Sequence, residues 1–91
     1  MDRNEAHGLL RRQLDRHRSR SHGELQSLIA EPEVVERVGS SGTHFCIEVL
    51  AVWDSDVGGD IRVIGSIDDG GWRAFKPLTD DFIIRPDGTL A

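Results

Sequence analysis

The sequence predicts an α+β domain, with two N-terminal helices packed on one face of a three- to four-stranded antiparallel sheet (α-α-β-β-β-β). Three observations predict it. Apolar residues recur at helical spacing as far as Ile29, and from Glu33 onward they alternate instead. Pro32 stands where the period changes. Short turns rich in glycine, serine and aspartate separate the alternating runs, which favours hairpins over crossovers. At 91 residues the chain fits a single domain, 1–91, and leaves no room for a second core.

The first helix starts at Asp2, whose carboxylate is placed to accept from free N–H groups. Glu5, three residues on, completes a capping-box-like pair. Ala6, Leu9, Leu10, Leu14 and His17 form its inward stripe, with Arg11, Arg12, Arg16 and Arg18 on the flanks and far side. Gly8 costs this helix about 1 kcal/mol relative to alanine, so tertiary packing must hold it. Residues 18–21 break the pattern. Ser21 and Glu24 make a second capping box, and Leu25, Leu28 and Ile29 a second stripe. Pro32 disfavours helix at Glu31 and ends the element. The two helices read as a hairpin with one apolar face to bury.

Glu33–Val38 reads as a short strand and residues 39–42, GSSG, as its turn. The strongest strand follows, with Thr43, Phe45, Ile47, Val49, Ala51 and Trp53 on one face. Residues 54–59 form a loop, after which Ile61, Val63, Gly65 and Ile67 repeat the alternation. Pairing residue 54 with 60 sets Trp53 opposite Ile61, Ala51 opposite Val63 and Ile47 opposite Ile67, which keeps the apolar side chains on one side. Asp68-Asp69-Gly70-Gly71 is a turn. Trp72, Phe75, Leu78 and Phe82 recur every three or four residues and read as a helical turn or bent loop. Phe82–Arg85 is expected as a last short strand before a turn at Pro86-Asp87-Gly88.

From Gly65 onward, GSIDDGGWRAFKPLTDDFIIRPDG resembles a group of small uncharacterised bacterial proteins that share a G-G-W-x-A-F-x-P-L segment and a closing F-I-x-x-P-D-G. The resemblance implies a compact α+β unit. It carries no activity and no functional residue to transfer.

Composition narrows the function classes. Glu48 interrupts the longest apolar run, so no membrane span and no membrane partner are expected. The charged N-terminus lacks the apolar stretch of a secretory signal, which makes a cytoplasmic location the default expectation. A lone Cys46 supplies neither an internal disulfide nor the paired thiolates of a zinc knuckle, and in HFCIEVLAV it reads as a small buried hydrophobe. Residues 54–60 carry aspartates at calcium-loop spacing. Counted from Asp54, however, position 5 is Gly58 and position 12 is Gly65, so neither a metal nor a cofactor is expected. The net charge of −5 divides unevenly, with residues 1–22 at +3 and residues 23–91 at −8.

Three functional readings follow, in descending order. The first is a non-enzymatic protein-interaction or regulatory domain, docking a partner or a second copy through the sheet face that carries Cys46, Leu50, Val52 and Ile64. Helices on one side leave that face uncovered. The second is a nucleic-acid accessory role, with Arg12, Arg16 and Arg20 contacting phosphates. The acidic body and the lack of stacking aromatics near the arginines weigh against it. The third is a ligand site or enzyme near Asp68, Asp69 and Trp72, where turn aspartates are the ordinary explanation. No catalytic residue is assigned, and the balance leans away from an enzyme.

Overall fold

The computed structural model describes residues 2–70 and 77–91. One long helix, α1 (Arg3–Arg18), precedes two short helical turns, α2 (His22–Leu25) and α3 (Ser27–Ala30). Four strands follow: β1 (Glu33–Val38), β2 (His44–Trp53), β3 (Ile61–Asp68) and β4 (Leu78–Ile84). They form one antiparallel meander in the order β1-β2-β3-β4. The expected α+β class and element order hold, and the second helix is a bent pair of turns rather than one rod. No helix among the described residues is long and apolar enough to cross a membrane.

The central register is the expected one: Trp53 faces Ile61, Ala51 faces Val63, and Ile47 faces Ile67. The Asp54 N–H closes the hairpin on the Asp60 carbonyl at 2.8 Å. The described helices all lie on one face of the sheet. Against them, β2 buries Phe45, Ile47, Val49 and Ala51, β3 buries Ile61, Val63 and Ile67, and β4 buries Phe82 and Ile84. Ala6, Leu10 and Leu14 from α1, with Leu25 and Leu28 from the helical turns, pack into this core. α1 packs mainly over β3 and β4, while α3 packs on β2, so both stripes bury against the sheet rather than chiefly against each other. Gly65 lets α1 approach. A Cβ there would stand 2.8 Å from Leu10 Cδ1 and 3.0 Å from Leu14 Cδ2.

Two local expectations need correction. Asp2 does cap α1, accepting from the N–H groups of Asn4 and Glu5 at 3.0 and 3.1 Å. Glu5 does not reach back to it. Its carboxylate instead accepts from the Ser40 and Ser41 hydroxyls and the Ser41 N–H, tying α1 to the β1–β2 turn. The second capping box, Ser21 with Glu24, forms as expected. The last strand begins at Leu78, four residues before its expected start. Residues four apart share a face in a strand as well as in a helix, so Leu78 and Phe82 fit both periods. Pro77 is tolerated there because it precedes the strand. Trp72 and Phe75 lie outside the described residues.

Candidate functional site: the open sheet face

Side chains alternate along each strand, so the residues between the core positions form the opposite face. Its rows follow from the register. Val52, Arg62 and Ile83 lie side by side, as do Leu50, Ile64 and Asp81. The next row holds Val34, Glu48, Ser66 and Thr79, and the next Glu36, Cys46 and Asp68. No described helix packs on this face. Leu50, Ile64 and Ile83 are half-buried, Val52 is 41% exposed and Val34 60%.

The four residues expected to share an interaction surface are therefore divided. Leu50 pairs directly with Ile64, and Val52 lies two residues along from Leu50, so these three are contiguous. Cys46 is separated from them by the row of Glu48 and Ser66. Ile83 and Val34 belong to the surface and were not anticipated. Ile83 was hidden because the sequence reading supplied no register for the last strand.

Charge frames the patch. Arg62 extends between two carboxylates, donating to Asp54 Oδ1 through Nε at 3.1 Å and to Asp81 Oδ2 through Nη1 at 2.5 Å. Both hydrogen bonds hold the guanidinium more firmly protonated than usual, that to Asp81 most. Glu36, Glu48 and Asp68 add negative charge beyond it. Burial pushes the Cys46 thiol up, and the carboxylates of Asp68, Glu36 and Glu48 push it further in the same direction. Such a thiol stays protonated at neutral pH, the opposite of what a nucleophile needs.

The other expected sites are placed as follows. Arg12 and Arg16 are exposed one turn apart on α1, and Arg20 is exposed beyond its end. Asp68 closes β3 on the open face, where its Oδ1 accepts the Gly70 N–H at 2.8 Å, as turn aspartates do. Asp69 is half-buried, and Trp72 lies outside the described residues. Asp80 and Asp81 are adjacent in β4, so their carboxylates point to opposite faces and form no pair. Residues 54–60 form a hairpin loop whose Gly59 carbonyl accepts from His22 Nε2 at 2.7 Å. No cluster of three metal-binding side chains exists among the described residues.

A polar seam on the covered side escaped the sequence reading. Glu33 Oε1 accepts from Gln13 Nε2 at 2.7 Å and from His17 Nε2 at 3.0 Å. Arg37 Nη2 donates to Gln13 Oε1 at 3.3 Å. Gln13 and His17 are 4% and 1% exposed, and His17 Nδ1 has no hydrogen-bond partner among the described residues. Burial pushes the Glu33 carboxyl up. Hydrogen bonds from His17 and Gln13, helped by the charges of His17 and Arg20, outweigh it and leave the group below its usual value. The signal was present: Gln13 stands three residues after Leu10, inside the inward stripe.

No protein-family model matches the chain, and comparison with curated proteins and with solved structures returns no match.

Proposed function

We propose that the protein is a non-enzymatic interaction domain that docks a partner protein on the open face of its sheet. One observation carries this reading. Leu50, Val52, Ile64 and Ile83 form a partly exposed apolar surface with no described helix over it, while the other face of the same strands buries Ile47, Val49, Val63 and Ile84 completely. The surrounding charge specifies the partner's chemistry. Glu36, Glu48, Asp68, Asp54 and Asp81 outnumber Arg62, whose charge is already engaged by the last two. A second copy laid face to face would oppose acid to acid. A complementary surface is apolar at its centre and basic at its rim.

The test compares proteins retained from a host extract by the wild type, by Leu50→Asp, by Ile64→Asp and by the loop control Val57→Asp. A protein with a basic contact surface, held by the wild type and the control but lost from both face variants, is the expected result. Equal retention by all four, or a retained partner with an acidic contact surface, would overturn the proposal.

A further inference from the structure

The two edges of the sheet are treated differently by the chain. The outer edge of β4 is paired at its Ile83–Ile84 end by residues 90–91. The Ala91 N–H donates to the Ile83 carbonyl at 2.9 Å, and Leu90 bridges Ile84. No described segment pairs with the outer edge of β1. The Gly39 N–H donates to the Thr43 carbonyl at 2.9 Å, in line with the β1–β2 register. Antiparallel pairs alternate between bonded and non-bonded. Gly39, Arg37, Val35 and Glu33 therefore turn their backbone groups toward β2, and Val34, Glu36 and Val38 turn theirs outward. Arg37 Nη1 agrees, since it reaches round to donate to the Glu36 carbonyl at 2.9 Å.

We infer that β1 pairs antiparallel with β1 of a second copy, centred on Val35, to make one continuous eight-stranded sheet. The charge pattern selects both the partner and the register. Residues directly opposite in such a pair lie on the same face. Centring on Val35 sets Val35 against its own copy and Glu33 against Arg37 of the facing chain, twice by symmetry. Centring on Glu36 or on Arg37 would set a like charge against itself, and centring on Val34 leaves Glu33 opposite Val35. In the chosen register Val34 and Glu36 exchange backbone hydrogen bonds with Glu36 and Val34 of the other copy.

The side chains are already positioned for it. Gln13 holds both Glu33 and Arg37, and both of Glu33's side-chain hydrogen bonds fall on Oε1, so Oε2 has no hydrogen bond among the described residues. On pairing, Arg37 exchanges the Glu36 carbonyl for the carboxylate across the new interface. In the monomer the same guanidinium guards an edge that would otherwise pair indiscriminately. This edge borders the docking face and shares Val34 and Glu36 with it, but the dimer is read from self-association and the docking from Leu50→Asp and Ile64→Asp, so the two ideas are tested separately.

Sedimentation equilibrium up to high micromolar concentration tests the inference, with amide hydrogen exchange as a second readout. The wild type is expected to dimerise reversibly, with slower exchange at Val34 and Glu36 as concentration rises. Glu36→Pro removes an outward N–H and leaves the β1–β2 ladder intact, so it should abolish the dimer while circular dichroism stays unchanged. Arg37→Glu should weaken Kd by roughly tenfold or more through like charges directly opposite. Ile64→Asp should leave it unaltered. A wild type that stays monomeric, exchange at Val34 and Glu36 that ignores concentration, or a dimer that survives Glu36→Pro and is lost in Ile64→Asp would each overturn it.

Discussion

The two faces of one sheet are built from the same strands and have opposite chemistry. Ile47, Val49, Ala51 and Val63 on the helix side are 0–3% exposed. Their immediate neighbours Glu48, Leu50, Val52 and Ile64 meet solvent and charge. Alternation alone produces this division, so the difference isolates what helix packing contributes. Truncating Ile47 to alanine opens a cavity under the helices and should cost about 2–5 kcal/mol. Ile64→Ala on the other face should cost under about 1 kcal/mol, because its surroundings collapse or are already wet. Urea denaturation of both variants measures the gap. Equal losses would mean that the open face is covered by something that packs as tightly as the helices.

The polar seam marks where the covered face stops being apolar. Glu33→Ala leaves Gln13 and His17 buried without their shared acceptor and should cost about 1–3 kcal/mol at neutral pH. The same carboxylate makes stability depend on pH. Its value in the folded protein is depressed below the ordinary 4.5, so its contribution is fully present above that value. It is lost as pH falls through the folded value, where protonation costs the acceptor. Between neutral pH and about pH 3, Glu33→Gln should therefore lose less stability than the wild type. Glu24 and Asp87, whose carboxyls are also depressed, supply a background common to both proteins. An identical acid profile in the variant would show that the seam is not held by this charge.

Most of this architecture was legible in the chain because alternation and turn chemistry are local signals. Val63 opposite Ala51 follows from the loop length at residues 54–60 and from the demand that apolar side chains share a side. The division of the open face was less legible. Cys46, Leu50 and Val52 share a strand face, but contiguity depends on what stands beside them, and Glu48 with Ser66 interrupts the run. Ile83 required the register of β4, which the ambiguous spacing of Leu78 and Phe82 concealed. The seam was hidden for another reason. A glutamine in a helical stripe and a glutamate opening a strand meet only after the helix has been laid over the sheet. Glu5 illustrates the same competition, since serine partners from the β1–β2 turn displaced its local role as a cap partner.

Two glycines sharpen the comparison at the scale of a single methyl group, because they lie on opposite sides of α1. Gly65 faces its buried stripe, and an added Cβ there meets Leu10 and Leu14, both fully buried. Both contacts are closer than side-chain carbons ordinarily approach, so Gly65→Ala must lift the helix or shift a leucine rotamer inside the core, at about 1–3 kcal/mol. Gly8 lies on the exposed side, where an added Cβ meets nothing within 4 Å. There the methyl group only restricts the unfolded chain and improves helix propensity, so Gly8→Ala should stabilise by about 0.5–1 kcal/mol. The same substitution thus has opposite signs on the two sides of one helix, and thermal denaturation should resolve both. A neutral Gly65→Ala would mean that α1 sits further from the sheet than described and that the covered face is looser. A destabilising Gly8→Ala would mean that something approaches the outer side of α1.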